Sequence, residues 1–457
     1  MERILIGELG KHVGEQVAIS GWVAVRRDQG KMVFFDFRDR SGTVQGVVLP
    51  QSAALDAAKE TTRESAVEVV GTVNKRPEKN ISAGKQNGDV ELLVEQLTIL
   101  NKSHTLPFDL ESELNLDTLL DNRPLMLHTQ RERDIFGVQA TIVQAYRNAL
   151  IARDFTEFQA PAIVGGDAEG GAAAFKVQYY HDTTAFLATS PQFYKELMVN
   201  AFERSFTIAK IFRGEKHATP RHLSELTQMD FEMGFIRDYR DVTRVLEEVI
   251  RDVVRAVGEK HAAVFERFGT SVPLAPDPFP MLSLTEAQDI IRKEFGREVE
   301  DINDMSPEDE RQICEWAKRE KQSDFVFITG YPTKKRAFYT YEEPGKAPFS
   351  SGFDLLFRGL EINSGSQRMH DYGAMIERMK ERKLDPEKFS FYLQAHKYGI
   401  PPHGGCSTGL ERITMKMLDL QNIREATTFP RDMNRIDTLL HATPATSSDA
   451  LSQKGDQ

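Results

Sequence analysis

Alternation of apolar and polar residues dominates the N-terminal part of the chain. It recurs at 17–23, 32–37, 44–48, 66–70 and 90–94, and turn residues such as Gly30 and Gly42 separate the runs. A period of two is typical of strands that bury one face. Five short strands within residues 1–102 predict a small closed barrel of the OB-fold type.

A helical period replaces the alternation from residue 131 onward. Apolar residues recur three and four positions apart in 131–153 and again in 242–257, and each stretch predicts a long amphipathic helix. The second stripe is interpreted as packing. Between the barrel and the first helix, 103–130 shows no strong period and contains Pro107 and Pro124, which favours a hinge.

The segment 280–322 is predicted to be a helical insertion within a domain that spans 131–441. Ser283 and Glu286 have the spacing of a capping box, and Ser306 followed by Pro307 is typical of a second helix start. Residues 442–457 are small and polar, so we predict a disordered tail.

Charge and cysteine content narrow the class of protein. The chain has 58 Lys and Arg against 69 Asp and Glu, a net charge of -11, which argues against coating nucleic acid through bulk charge but permits a local basic patch. Two cysteines indicate neither a metal cluster nor a disulfide framework, so we expect a reducing cytosol. We expect no membrane segment and no secretory leader, because no apolar run is long enough.

Basic and acidic residues cluster around a predicted hairpin. One strand ends in Arg213 and Glu215, a polar loop carries Arg221 and His222, and the returning strand has alternating acids that begin with Asp230. Antiparallel pairing would aim Arg213, Arg221 and His222 into one pocket. Guanidinium groups suit phosphate oxygens, so the hairpin favours a phosphate site. A salt-bridged surface hairpin is the alternative.

Two further segments carry groups that suit a nucleotide. The glycine-rich run 404–409 leads into a helix predicted to begin near Leu410, which places Arg412 at a helix N-terminus, where anions are favoured. This run is not a Walker loop, because the Lys-Ser/Thr ending is absent. Asp354 and Glu361 are hard oxygen ligands of the kind that hold Mg²⁺ jointly with phosphates. Each segment alone is also compatible with a structural role.

Taken in this order, these segments resemble motifs 2 and 3 of class II aminoacyl-tRNA synthetases. The helix from Arg131 and the string FQAP at 158–161 resemble motif 1, which forms the dimer interface in that family. The chain is similar to the archaeal-type aspartyl-tRNA synthetases over roughly residues 3–441. The strings that carry the resemblance are EGG at 169–171, SPQFYK at 190–195, EINSGSQR at 361–368, YGIPPHGG at 398–405 and NIRE at 422–425.

The resemblance implies an α+β fold in which an OB-fold anticodon-binding barrel and a hinge precede a catalytic antiparallel sheet flanked by helices. It implies a homodimer that uses ATP, L-aspartate and tRNA, with Mg²⁺ as cofactor. The implied reaction has two steps. The aspartate carboxylate attacks the α-phosphorus of ATP and releases pyrophosphate, and the aspartyl adenylate then esterifies the terminal adenosine of tRNA.

Individual residues also receive roles from the resemblance. Arg213 would hold the α-phosphate and Arg412 the γ-phosphate, and the other nucleotide contacts would come from Glu215, Arg221, His222, Leu223, Glu361 and Gly409. Aspartate would be bound by Glu169, Ser190, Gln192, Lys195, Asp230, Ser364 and Arg368, with Asp230 orienting the two cations that face the side-chain carboxylate. Mg²⁺ would be held by Asp354, Glu361 and Ser364.

The barrel is expected to bind the anticodon, because GWV at 21–23 and FDFRD at 35–39 resemble the anticodon-binding OB-fold. Aromatic faces can stack splayed bases and an amide can read base edges, although some of the phenylalanines must fill the barrel instead. The contacts would come from Arg26, Phe34, Phe35, Gln45 and Pro77.

The ability to distinguish tRNA(Asp) from tRNA(Asn) depends on the third anticodon base. In relatives that discriminate, a bulky residue can follow the Gly-Trp-Val turn, and here that position is Ala24. Pro77 in the second loop has no backbone N–H to offer. Both residues favour a relaxed enzyme that charges both tRNAs. The opposing hypothesis is that Arg26, Arg27 or Lys75 discriminates.

Departures from the family pattern leave alternatives open. Leu226 stands where many relatives place an aromatic residue over adenine. The strings RAFY at 336–339 and GSQR at 365–368 also resemble asparaginyl-tRNA synthetases, which makes asparagine the alternative substrate. A paralogue that binds RNA without aminoacylating it is the alternative from another class, and the intact Arg213, Glu361 and Arg412 speak against it.

Overall fold

Residues 1–82, 84, 86–166, 174–216, 219–342 and 345–437 are described by a computed structural model. The chain divides into two compact units, Met1–Glu113 and Leu114–Gln457. The first unit extends past the predicted limit at residue 102, because the Thr62 hydroxyl donates to the Ser103 carbonyl over 2.6 Å and Arg63 binds Asp109 over 2.8 Å. The predicted tail, 442–457, lies outside the described residues.

The N-terminal unit is the closed barrel that the alternation predicts, and all five predicted strands are confirmed. They are β1 (Gln16–Gln29), β2 (Met32–Arg38), β3 (Thr43–Val48), β4 (Ala66–Lys75) and β5 (Val90–Asn101), in the order β1-β2-β3-β5-β4, with helix α1 (Leu55–Glu60) between β3 and β4. Val33, Phe35 and Phe37 of β2 point into the core, whereas Phe34 is only half-buried. Closure leaves the sheet without a free edge.

The predicted hinge, 103–130, contains two short helices, α2 (Leu116–Asp121) and α3 (Arg123–Met126). Arg123 is buried, and it donates to Glu132 over 2.6 Å and to the carbonyls of Thr427 and Thr428 over 2.8 Å each. This half of the segment is therefore packed into the C-terminal unit. Helices this short contain too few turns to show a periodic pattern, which is why the sequence did not indicate them.

An eight-stranded sheet forms the centre of the C-terminal unit. Its strands are β6 (Thr156–Glu157), β10 (Arg204–Phe212), β11 (Glu225–Gly234), β12 (Met281–Ser283), β13 (Phe325–Thr329), β14 (Gly352–Phe357), β15 (Leu360–Gln367) and β16 (His403–Gly409), in the order β12-β13-β14-β15-β16-β11-β10-β6. The two edge pairs, β12 with β13 and β10 with β6, are parallel and the rest antiparallel, so the sheet is mixed rather than wholly antiparallel. A smaller sheet contains β7 (Ile163–Val164), β9 (Thr184–Leu187) and β8 (Lys176–Gln178) in that order.

Helices flank the larger sheet. They are α4 (Gln130–Ile151), α5 (Gln192–Phe202), α6 (Tyr239–Arg267), α7 (Leu284–Phe295), α8 (Pro307–Lys321), α9 (Tyr372–Glu381), α10 (Ser390–Lys397) and α11 (Leu410–Met417). In the predicted insertion, α7 begins with the capping box of Ser283 and Glu286, and α8 begins with Ser306 as cap and Pro307 in its first turn. Both predicted helix starts are confirmed.

Both predicted long helices, α4 and α6, are confirmed, and they share one apolar core. The stripe of α4 consists of Ile135, Val138, Ile142, Tyr146 and Leu150, each 0% exposed within this chain. The expectation from motif 1 that this helix forms a dimer interface therefore does not extend to its apolar stripe, because the stripe packs in one core with the apolar stripe of α6 of the same chain.

Candidate active site

A cavity of about 510 Å³ opens at the centre of the larger sheet, where β10, β11, β15 and β16 are adjacent. Six of the predicted site residues line it: Ser190, Gln192, Arg213, Glu361, Ser364 and Arg368. They come from parts of the chain that are far apart in sequence, so the fold brings predicted aspartate-binding residues and predicted ATP-binding residues to one cavity. Glu169 lies outside the described residues.

Buried ion pairs lie behind one end of this cavity: Arg368 lines it, whereas Lys195 and Asp230 are not among its described lining residues. Lys195 of α5 donates to Asp230 over 2.8 Å and to the Cys406 carbonyl over 3.1 Å, and all three side chains are fully buried. Arg368 binds Glu232 over 2.9 Å. The structure thus pairs Asp230 with Lys195 alone, while Glu232, which the sequence analysis missed, holds Arg368. The alternating acids of β11 were the signal, because residues 230 and 232 share one face of a strand.

A second buried network fixes the orientation of Gln192. Its amide Nε2 donates to Glu196 over 2.6 Å, and Glu196 also accepts from the Tyr392 hydroxyl over 2.7 Å and pairs with His403 over 3.0 Å. Burial works to raise the pKa of Glu196, but the hydrogen bond and charge of His403 lower it to about 2. With its nitrogen committed to this carboxylate, Gln192 keeps its amide oxygen for a donor. Sequence reasoning did not find Glu196.

Arg213, Glu361 and Arg412 occupy the other end of the site. Helix α11 begins at Leu410, as predicted, with Gly409 as its N-cap. Arg412 in its first turn donates to the Glu361 carbonyl over 2.9 Å and lies 3.5 Å from the Glu361 carboxylate. Burial, and then the Asp354 carboxylate, raise the pKa of Glu361 to about 7, while Arg412 acts in the opposite direction. A cationic helix N-terminus beside this carboxylate suits a polyphosphate with its counter-ion.

A β-bulge shapes the acidic strand. The pairing of β14 with β15 shifts register between Leu355 and Leu356, which adds one residue between Glu361 and Ser364 and turns both side chains toward the cavity. Asp354 differs, because both of its oxygens accept from Arg336, over 2.9 and 2.6 Å. Arg336 was noted in the sequence only for its resemblance to asparaginyl enzymes.

The hairpin brings only part of its predicted set to the cavity. Arg213 lines it, but Arg221 is bound to Glu310 of α8 over 2.5 Å and to the Gly359 carbonyl over 3.2 Å. Leu223 is buried in the apolar core, so its side chain is not available to a nucleotide. His222 lies 2.6 Å from the Thr219 hydroxyl, and neither His222 nor Glu215 is among the cavity-lining residues. Within the described residues, the structure therefore brings Arg213 but not Arg221 or His222 to this cavity, and the phosphate-binding roles of these three residues stay predictions.

Only some of the residues predicted to contact the anticodon are accessible on the barrel surface. Phe35 is 0% exposed and stacks on Phe37 in the core, so the prediction that it stacks a base is wrong, whereas Phe34 faces outward. The Gln45 amide accepts from Arg76 over 3.1 Å and donates to Glu91 over 3.3 Å. Arg26 binds Asp28 over 2.9 Å, and Pro77 is exposed.

Comparison with known families agrees with this geometry. The family described as tRNA synthetases class II (D, K and N) matches residues 115–433, and the OB-fold nucleic acid binding domain matches residues 17–100. Fold and site thus define a class II synthetase preceded by a nucleic-acid-binding barrel. The chain belongs to the class II (D, K and N) tRNA synthetase family.

Individual relatives resemble the chain over nearly its whole length. The aspartate–tRNA(Asp/Asn) ligase of Deinococcus radiodurans is 38% identical over 449 residues, covering 95% of this chain and 99% of the relative. The aspartate–tRNA(Asp) ligase of Thermoplasma acidophilum is 37% identical over 441 residues, covering 95% and 100%. The crystal structure of asparaginyl-tRNA synthetase from Pyrococcus horikoshii complexed with asparaginyl-adenylate is 31% identical, with a TM-score of 0.87 and coverage of 95% and 99%.

A search of the described residues for membrane spans finds no helix with the length and apolar character needed to cross a bilayer.

Proposed function

We propose that this protein is an aspartate–tRNA ligase, which activates L-aspartate with ATP and transfers it to the 3′ end of tRNA. One observation carries the proposal: a single cavity joins Gln192 and Arg368 at one end to Arg213 and Glu361 at the other. An amino acid and a nucleotide bound there would share one chamber. Direct attack of a carboxylate on the α-phosphorus needs such proximity and no covalent enzyme intermediate.

The amino-acid end suits aspartate. Asp230 Oδ1 accepts no hydrogen bond within the described part of the chain, and with the Gln192 amide oxygen it could accept from an α-ammonium group. Among the described lining residues there is one carboxylate, Glu361, against six basic residues: Arg213, Lys334, Lys335, Arg336, Arg368 and Arg382. This excess of positive charge favours a substrate with a second carboxylate. A neutral amide would gain less from it.

At the phosphate end, the residues of this chain would position the reaction and stabilise charge. Arg213 would hold the α-phosphate during attack, and Arg412 would hold the γ-phosphate of the pyrophosphate that leaves. Fixed guanidinium donors stabilise the charge that develops on phosphate oxygens without reorganisation. The carboxylate then becomes the acyl group of the adenylate, from which the terminal ribose hydroxyl of tRNA displaces AMP.

Mg²⁺ fits part of the donor set that the sequence suggests. Glu361 faces the cavity and offers hard oxygens, whereas the hydroxyl of Ser364, which also lines the cavity, accepts from Arg336 over 3.1 Å. Asp354 does not fit as a direct ligand, because both of its oxygens are bound to Arg336. When bound, Mg²⁺ would neutralise charge on the phosphates.

A larger cavity of about 1030 Å³ shares Ser190 with the first and suits the tRNA end. Tyr194, Phe391, Lys383 and Lys388 line it. Aromatic faces with cations are the usual platform for single-stranded nucleic acid. This arrangement supports transfer to a 3′ terminus next to the amino-acid end.

On the barrel, the anticodon would contact Phe34, Arg26 and Pro77, and we propose that recognition is relaxed. Ala24 lies at the β-bulge between Val23 and Val25 and offers only a methyl group. The relatives bear both names, aspartate–tRNA(Asp/Asn) ligase and aspartate–tRNA(Asp) ligase. Relaxed recognition would give aspartyl-tRNA(Asn), which an amidotransferase must then convert.

We also propose that the protein is a cytoplasmic homodimer. The α4 stripe is buried in its own chain, so the dimer contact would involve the edge strand β6 instead. The exposed residues Ile151 and Ile163 flank this strand in sequence. Light scattering at assay concentration tests this proposal, and an active monomer would contradict it.

A charging assay tests the function. The protein is incubated with ATP, Mg²⁺, either labelled aspartate or labelled asparagine, and transcribed tRNA(Asp) or tRNA(Asn) in separate reactions. We expect aspartyl-tRNA to accumulate and asparaginyl-tRNA to stay at background. Charging with asparagine alone would favour an asparaginyl-tRNA synthetase, and RNA binding without charging would favour a non-aminoacylating paralogue.

A further inference from the structure

Arg336 occupies the space between two residues that the sequence suggests as metal ligands. Asp354 of β14 and Ser364 of β15 are direct cross-strand neighbours. The Arg336 guanidinium donates through both terminal nitrogens to the Asp354 carboxylate, over 2.9 and 2.6 Å, and to the Ser364 hydroxyl over 3.1 Å. A bidentate pair of this kind has a fixed geometry as well as strength.

Further contacts hold Arg336 rigidly against the cavity wall. Its guanidinium lies 3.9 Å from the centre of the Tyr331 ring, and its backbone N–H donates to the Thr333 carbonyl over 3.1 Å. Its side chain is only 17% exposed, yet Arg336 lines the same cavity as Arg213 and Glu361. A cation that is held by these contacts and also lines the cavity is placed to bind an anionic ligand.

We propose that Asp354 is a positioning residue that fixes Arg336 as a nucleotide-facing cation, and that it is not a ligand of the divalent ion. The identity of the nucleotide as ATP rests on the proposed function. A dication on the Asp354 oxygens would stand beside the guanidinium and be repelled by it. When the carboxylate holds the guanidinium, in contrast, the guanidinium N–H groups that it does not bind remain available to donate to phosphate oxygens.

Two binding measurements on one set of variants test the proposal. The variants are Asp354→Asn, Arg336→Met, their double combination, and Glu361→Gln. Mn²⁺ affinity is measured without nucleotide from the electron paramagnetic resonance signal of free Mn²⁺, and affinity for α,β-methylene ATP, an ATP analogue, is measured separately by calorimetry in EDTA. Neither measurement depends on catalysis.

We expect Asp354→Asn to change the Mn²⁺ dissociation constant by less than about threefold and Glu361→Gln to raise it by about tenfold or more, as loss of a charged ligand does. Asp354→Asn and Arg336→Met should each weaken analogue binding by about tenfold, and the double variant should be no weaker than Arg336→Met within about twofold, because coupled residues are not additive. A purely structural role would not separate metal affinity from nucleotide affinity in this way.

Three results would overturn the proposal: a loss of Mn²⁺ affinity in Asp354→Asn as large as in Glu361→Gln, additive effects in the double variant, or unchanged analogue binding in Arg336→Met. Near-ultraviolet circular dichroism checks each fold. If Asp354→Asn does not fold, Arg336→Met provides the test, because this variant should bind the ATP analogue more weakly and keep its affinity for Mn²⁺. Failure of the proposed function would appear separately, since neither measurement needs aspartate or tRNA.

Discussion

The barrel and the catalytic sheet bury different kinds of residue. Inside the barrel, Phe35, Phe37 and Leu92 are 0% exposed, and ion pairs such as Arg26 with Asp28 lie on the outside. At the centre of the sheet, Lys195 and Asp230 are equally buried and bind each other over 2.8 Å. The barrel has an apolar core and buries the ion pair of Arg38 with Glu64 away from any described cavity, whereas the sheet buries ion pairs beside the cavity.

This difference reflects what each unit has to do. Burying an ion pair costs several kcal/mol of desolvation per ion, so such a pair is weak evidence for stability. Buried charges next to a cavity are instead typical of functional sites. We therefore propose that the barrel interior serves folding and leaves recognition to the barrel surface, and that the charged sheet interior supports the ligand site.

Removing one charge from each region tests this contrast most strongly. Lys195→Met should lower the free energy of unfolding of the C-terminal unit by about 3–5 kcal/mol, because it leaves Asp230 buried without its partner. Arg26→Met on the barrel surface should cost less than about 1 kcal/mol. Urea unfolding measures both, and equal losses would contradict the contrast.

Loss of a phosphate-end cation should affect chemistry rather than folding. Arg213→Ala and Arg412→Ala should each reduce aspartate-dependent ATP–pyrophosphate exchange by about a hundredfold or more, on the order of 3 kcal/mol, while the unfolding midpoint is retained. Arg27→Ala on the barrel is the matched control, and it should leave exchange unchanged because activation precedes tRNA binding. Near-normal exchange in either cavity variant would refute the assigned roles.

A surface aromatic on the barrel should matter for RNA alone. Phe34→Ala should weaken tRNA binding by about 1–3 kcal/mol, the usual contribution of one stacked base, with exchange activity unaffected. Phe34→Tyr keeps the ring and should bind normally. Filter binding at fixed salt measures the affinity, and equal binding by the alanine and tyrosine variants would remove Phe34 from the interface.

The smallest expected effect is the difference between two tRNAs. Because Ala24 offers only a methyl group and Pro77 has no backbone N–H, we expect kcat/KM for aspartylation of tRNA(Asp) and tRNA(Asn) to differ by less than about tenfold, or 1.4 kcal/mol. Kinetics on the two purified transcripts decide the question. A preference beyond about a hundredfold would mean that the barrel discriminates through another residue.

Local patterns predicted the elements well, because each depends on neighbours in sequence. The five barrel strands, both long helices and the capping box of Ser283 with Glu286 follow from spacing alone. Alternation could also have separated Phe34 from Phe35, since Val33, Phe35 and Phe37 share one face of β2. The motif residues of the cavity were found through their resemblance to a family.

Partners of charged side chains could not be predicted, because they depend on tertiary contacts. Arg221 carries the same charge as Arg213, yet it binds Glu310 from a helix 89 residues further along the chain. Asp354 has the chemistry of a metal ligand, but the structure pairs it with Arg336. Glu196 lies on an amphipathic helix next to Lys195, and only the fold shows that it holds Gln192.

Amino-acid selection tests the central claim, that the charged sheet interior forms an aspartate site. ATP–pyrophosphate exchange is measured with aspartate and with asparagine as separate substrates, without tRNA. We expect exchange with aspartate and a kcat/KM for asparagine lower by about a hundredfold or more, because a neutral amide gains less than a carboxylate from the basic residues that line the cavity. Exchange with asparagine as efficient as that with aspartate would contradict the account.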